Sequence, residues 1–196
     1  MPIRPENKSI NRPVAVLFAC KDSIYKTFSG IELYDAERNA KTFPGHMPVV
    51  AHPPCGSWGR LRRFARPVPG EHELSIWAVE QVQKWGGVLE HPSYSLLWQH
   101  MNLPKPGDPG NGCGWSLSVP QFWWGHQANK STWLYVCGLE RRSCPDIPFR
   151  LGEAMYVIGG SKSRRPRPTL SKSKRERTPF EFAQWLIELA RRCFVG

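Results

Sequence analysis

The sequence predicts an α/β fold, a reduced Rossmann-like and mostly parallel sheet with helices on both faces. Three observations support this reading. Short apolar runs of strand length recur, two longer stretches space their apolar residues at three and four, and the two kinds alternate along the chain. At 196 residues the chain fits one domain over 1–196, long enough for one sizeable core and too short for two.

Val14-Ala15-Val16-Leu17-Phe18-Ala19 follows Pro13 and precedes polar Lys21-Asp22-Ser23, which predicts a buried strand ending in a loop. Ile31 to Tyr34 reads as a second short strand and Ala36 to Phe43 as a helical turn or two. Pro48 to Ala51 is a further buried strand, stopped by Pro53-Pro54. From Glu71 to Trp85, Leu74, Trp77, Ala78, Val79 and Val82 mark an amphipathic helix that Gly86-Gly87 close. Gly87 to Glu90 is a strand, 104–114 a Pro/Gly-rich surface loop, and Ser131 to Gly138 another strand. Residues 161–177 set many Lys and Arg among Ser and Pro with almost no apolar residues, which predicts a flexible basic segment. Thr178-Pro179 then starts a closing helix over 178–194, with proline first and Phe182, Trp185, Leu186, Leu189 and Ala190 on the face that packs back on the core.

Composition narrows the function. Hydrophobic residues are 40% of the chain and nine are tryptophan, enough to fold around an aromatic-rich core. Lys and Arg number 27 against 16 Asp and Glu, and the net charge of +11 favours a polyanionic partner, nucleic acid first. Six spread cysteines without a CxxC pair, and a polar N-terminus without a secretory leader, suit a reducing cytoplasmic setting. No apolar run approaches the roughly 20 residues that span a bilayer, so no membrane partner is expected.

Three places carry chemistry. His52-Pro53-Pro54-Cys55 follows an apolar strand, and a cysteine at a strand's carboxyl end stands where open α/β sheets bind ligands. Set against this is the ordinary role of a free cysteine as a small buried hydrophobe. His52 and Cys55 also have a metal-like spacing, but the His-x-Glu and Pro-Cys-x-x-Cys of the zinc deaminases are missing, and no metal is expected. Leu89-Glu90-His91-Pro92 puts a carboxylate at another strand end, within reach of the same mouth. Gln121 to Thr132 is an aromatic and polar loop in which His126 and Lys130 are candidates to meet DNA phosphate or a base.

The order and type of these features resemble the motifs of the cytosine-5 DNA methyltransferases, in a trimmed, phage-type form. Phe18-Ala19 after a strand, Pro53-Pro54-Cys55, Glu90 before Pro92, the Trp124 to Gly138 segment and the Thr178-Pro179 helix follow the family's sequence of motifs. Lys130-Ser131-Thr132 is similar to the Lys-Pro-Thr form that divergent members carry in place of an arginine motif. The resemblance implies that the Cys55 thiolate attacks C6 of a flipped base while Glu90 hydrogen-bonds the ring edge near N3. It assigns a catalytic role to Lys130 as well. It also implies S-adenosylmethionine as cofactor, with Phe18, Asp22, Ser23 and Asp35 at its site, Glu37 being the alternative to Asp35 for the ribose.

Arg60, Arg62 and Arg63, close behind Cys55, are expected to lower its pKa or to hold phosphate, and Lys162, Arg164, Arg165 and Arg167 to grip DNA without sequence preference. Two departures stand out. The family's Phe-x-Gly-x-Gly loop is replaced by Phe18-Ala19-Cys20-Lys21-Asp22-Ser23, without glycine, and the target-recognition domain is essentially absent. Two alternative expectations therefore stand beside the methyltransferase. One is an inactive or repurposed DNA- or protein-binding module, and the other an enzyme that modifies pyrimidines without S-adenosylmethionine.

Overall fold

The computed structural model describes residues 12–60, 62–67, 69–158 and 167–195. Its strands are β1 (Val14–Leu17), β2 (Ile31–Tyr34), β3 (Val49–Ala51), β4 (Gly87–Pro92), β5 (Gly114–Pro120) and β6 (Ser131–Cys137). They form one sheet in the order β2-β1-β3-β4-β6-β5. The first four are parallel, β6 runs antiparallel to β4, and β5 antiparallel to β6. This is the expected α/β, Rossmann-like architecture with a mostly parallel sheet.

The sheet is covered on both faces, and this explains why β1 and β3 at its centre are wholly apolar. Side chains alternate across a strand, so Val14 and Val16 join Val50, Val88, Leu134 and Val136 on one face. The helix α4 (Phe180–Arg191) closes that face with Phe182, Leu186, Leu189 and Ala190. Ala15 and Leu17 join Val49, Ala51, Leu89 and Tyr135 on the other, under Ala78, Val79 and Val82 of α1 (Glu71–Trp85). Gly87 makes the central pairing possible. It pairs with Val49 and with Cys137 at φ 127°, and a Cβ there would lie 2.0 Å from the Val49 carbonyl oxygen.

Several boundaries differ from the sequence expectation, each for a local reason. β1 stops at Leu17 because Phe18 turns to φ 64°, after which the Ala19 N–H donates to the Tyr34 carbonyl. The helical turn expected over 36–43 shrinks to a 3-10 turn at Ala40–Thr42, capped by the Asn39 side chain. α4 starts at Phe180, with Pro179 as its cap residue rather than its first helical one. β5 and the short α2 (Leu96–His100, capped by Ser95) have no counterpart in the sequence reading.

The basic stretch is described from residue 167 on, where Leu170 is buried and Val157 bridges Thr169. α3 (Lys172–Glu176) follows, capped by Ser171. The single apolar residue, Leu170, anchors it. Among the described residues no helix is long and apolar enough to cross a membrane.

β1 has β2 on one side and β3 on the other, so the strand order reverses there and opens a crevice at the carboxyl ends of β1 and β3. The antiparallel β6 brings its amino end to the same edge, because Thr132 pairs with Pro92, and β5 brings Pro120 opposite Ser131. The loops that follow β1, β3 and β4 and the one that joins β5 to β6 meet on that edge.

Candidate active site at the carboxyl edge of the sheet

Glu90 is the hub. It lies near the end of β4, where burial on its own would raise its pKa. Lys130, the hydrogen bond and charge of His52 and the charge of His91 outweigh that and bring it down to about 2. Its Oε2 is 3.0 Å from Nδ1 of His52, and its Oε1 accepts from the Gln121 amide at 2.9 Å. The same amide donates to the Thr132 hydroxyl at 3.0 Å. At neutral pH Glu90 is therefore a carboxylate, an acceptor that the fold holds from two sides.

His52 extends this chain into the crevice. Its Nε2 is 2.9 Å from the Tyr25 hydroxyl, and burial, reinforced by the Glu90 charge, pushes the Tyr25 phenol well above its ordinary value. Tyr25 thus stays protonated, and the His52 ring bridges its hydroxyl to the Glu90 carboxylate through its two nitrogens. Both ring nitrogens of His52 are engaged within the chain, which leaves neither to join Cys55 on a metal. Among the described residues no cluster of three or more His, Cys, Asp or Glu is placed to hold a metal ion.

Cys55 stands on the turn after β3, where its carbonyl accepts from the N–H groups of Trp58 and Gly59. The Ser75 hydroxyl on α1 donates to the Pro54 carbonyl, and Glu71 accepts from the Gly56 N–H, so α1 clamps the loop on both sides of the cysteine. The residue is exposed, yet partial desolvation of its sulfur is the largest influence on its pKa. Together with the charges of Glu90 and Glu71 this raises the thiol above its ordinary value, and Lys130 is the side-chain charge that opposes it. The expectation that Arg60, Arg62 and Arg63 activate the sulfur is thus corrected. All three are exposed, Arg62 lies in the 3-10 turn Arg62–Phe64, and none sets the charge at Cys55.

Lys130 enters β6 at φ 24°, with its carbonyl accepting from the Gln121 N–H and the Thr132 hydroxyl. Its charge acts on both Glu90 and Cys55, and the fold therefore brings together all three residues assigned to catalysis. His126 is a correction. It is buried, with Nδ1 bound to the backbone of Ala128 and its pKa lowered chiefly by burial, so it presents no cation to a phosphate. Arg167 donates to the Ala154 carbonyl and pairs with Glu153 at 3.5 Å. Lys162, Arg164 and Arg165 lie outside the described residues.

The residues assigned to S-adenosylmethionine are mostly engaged by the chain itself. Phe18 packs edge-on against Trp77, and Ser23 caps the 3-10 turn that carries Tyr25. Asp35 accepts from the backbone of Arg38 and Glu37 and pairs with Lys26, contacts that lower its pKa in that order. Asp22 is exposed. With no glycine from Phe18 to Tyr25 and the Tyr25 ring bonded to His52, this set does not fit the cofactor in the way the resemblance implies.

Tyr25, His52 and Gln121 complete the hydrogen-bonded chain around Glu90, a role not expected of them from the sequence. Tyr25 and His52 are 27 residues apart, and no local pattern links them. Comparison with known proteins returns no matching family model, no matching curated protein and no matching solved structure.

Proposed function

We propose that this protein modifies pyrimidine bases in DNA through covalent attack of Cys55 on C6 of a base turned out of its stack. One observation carries the reading: an exposed cysteine on the switch-side loop shares a single charge system with a buried carboxylate and a lysine. The net charge of +11 supplies the attraction to a polyanion.

The residues divide the work. The Glu90 carboxylate accepts from the exocyclic amine of cytosine, the edge group that a carboxylate reads. Lys130 stabilises the negative charge that develops on the ring and favours the thiolate form of Cys55. The new C–S bond at C6 moves the 5,6 electron pair to C5, which becomes nucleophilic and takes a proton from solvent. Loss of the original C5 proton and departure of the thiolate restore the ring. By itself this sequence only exchanges the C5 proton; a modified base requires a one-carbon donor, which would divert it at the C5 stage.

The test uses heavy water. Cytosine-containing single-stranded and duplex DNA is incubated with the protein in D2O, and its nucleosides are read by mass spectrometry. Deuterium at C5 with the intact protein and none with Cys55→Ala is the expected result. Repeating the reaction with S-adenosylmethionine separates the methyltransferase, which gives 5-methylcytosine, from an enzyme independent of it.

A second reading, a DNA-binding module that keeps the Pro-Pro-Cys loop as architecture, is favoured by the raised thiol pKa of Cys55. DNA binding without C5 exchange is its signature.

A further inference from the structure

Beside the Cys55 loop, an aromatic side chain is held out into solvent at a cost. Residues Pro92 to Ser95 make a tight turn, closed by the Ser95 N–H donating to the Pro92 carbonyl. Tyr94 takes its third position at φ 62°, where turns of this kind place glycine, so a tyrosine there strains the backbone. The residue is nevertheless 65% exposed. Burial does not explain why it is there.

The surroundings specify what the ring meets. One side leans on Trp133, with centroids 5.0 Å apart, and the Arg60 guanidinium lies 5.7 Å from the ring centroid. Arg60 belongs to the loop that carries Cys55, and that loop is tied to the turn because the Leu96 N–H donates to the Trp58 carbonyl. On the other flank Ser93 bonds Ser131, next to Lys130, through both backbone and hydroxyl. Arg62, Arg63 and Arg66 are exposed on the same loop, together with Phe64 at 85% exposure. An exposed aromatic ring backed by Trp133, with an arginine beside it and further arginines on the same loop, suits an unpaired nucleobase: the ring stacks on the base and the cations track the backbone.

We propose that Tyr94 is a stacking platform for an unpaired nucleobase, and that the nucleic acid bound at this site is single-stranded where it crosses the turn. The inference rests on the nucleic-acid reading above and deepens it by fixing the strand state. It does not depend on Cys55 chemistry.

The experiment measures binding of a fluorescently labelled 20-nucleotide single strand, and of the duplex of the same sequence, by anisotropy at one fixed salt concentration. The proteins compared are the full-length chain and its Tyr94→Ala, Tyr94→Phe and Tyr94→Gly variants. Single-strand affinity is expected to fall roughly 5- to 150-fold in Tyr94→Ala and Tyr94→Gly and to survive in Tyr94→Phe. The glycine variant relieves the turn and is expected to melt no lower than the parent, so its loss of binding is not unfolding. Unchanged single-strand binding in both truncated variants overturns the platform while leaving the nucleic-acid reading intact. Absence of binding by the unmodified protein to either probe overturns both. Tighter binding of duplex than of single strand, lost equally in all variants, overturns the assignment of strand state.

Discussion

Glu90 and His91 are neighbours on β4, and the fold depresses the pKa of both. Glu90 falls from 4.5 to about 2. His91, 1% exposed, falls from 6.5 to about 4, chiefly through burial. In each case the unfolded chain binds a proton more readily than the folded one, so stability is full above the unfolded pKa and drains away as pH drops. The His91 share is lost between pH 6.5 and about 4, the Glu90 share between 4.5 and about 2, each on the order of 3 kcal/mol. Urea denaturation across this range is expected to show a midpoint that falls steadily with acidity, and His91→Phe to flatten its upper part. A midpoint indifferent to pH between 6.5 and 4 would contradict the buried neutral state of His91. At this scale the sequence showed Cys55, Glu90 and Lys130, because each stands beside a strand end recognisable from its own neighbours. It did not show Tyr25 and Gln121 as partners of the chain around Glu90, since their contacts depend on strand order, nor that His126 turns inward to the Ala128 backbone.

Among the elements, the β3–β4 pair has the least room for change. An added Cβ at Gly87 meets the Val49 carbonyl oxygen at 2.0 Å and its nitrogen at 2.6 Å, backbone atoms that cannot swing away. Gly87→Ala is therefore expected to cost about 3 kcal/mol or more, read as a lower thermal midpoint, from overpacking and from the positive φ together. β1 and β3 were legible because double-sided burial makes each a short, uninterrupted apolar run, and β2, β4 and β6 because each holds a cluster of apolar residues. β5 was not: Gly114-Trp115-Ser116-Leu117-Ser118-Val119-Pro120 mixes serines into an edge strand and follows a Pro/Gly loop that hides its start. α2 has only five residues, too few to display a helical period, and exists through the Ser95 cap and the burial of Leu97 and Trp98. In the basic stretch the one buried residue, Leu170, is outnumbered by charges that stay in solvent, so the bridge from Thr169 to Val157 was not legible.

At the scale of the molecule, the two extremes of the described chain are in direct contact. The Arg12 guanidinium donates to the Cys193 carbonyl at 2.7 Å and lies 4.4 Å from the ring centroid of Phe194, and Arg191 returns a bond to the Arg12 carbonyl. Lys105 to Gly110 is a largely exposed loop between α2 and β5. Residues 12 and 193 can thus be joined by a short glycine–serine linker and new ends opened in that loop without breaking any strand pairing. Such a circular permutant is expected to unfold in one sharp thermal transition in tryptophan fluorescence, and a broad or multiphasic loss would show that the native connection is needed. The edge where His52, Cys55 and Glu90 meet is then a property of how strands lie side by side, independent of which one the ribosome would make first.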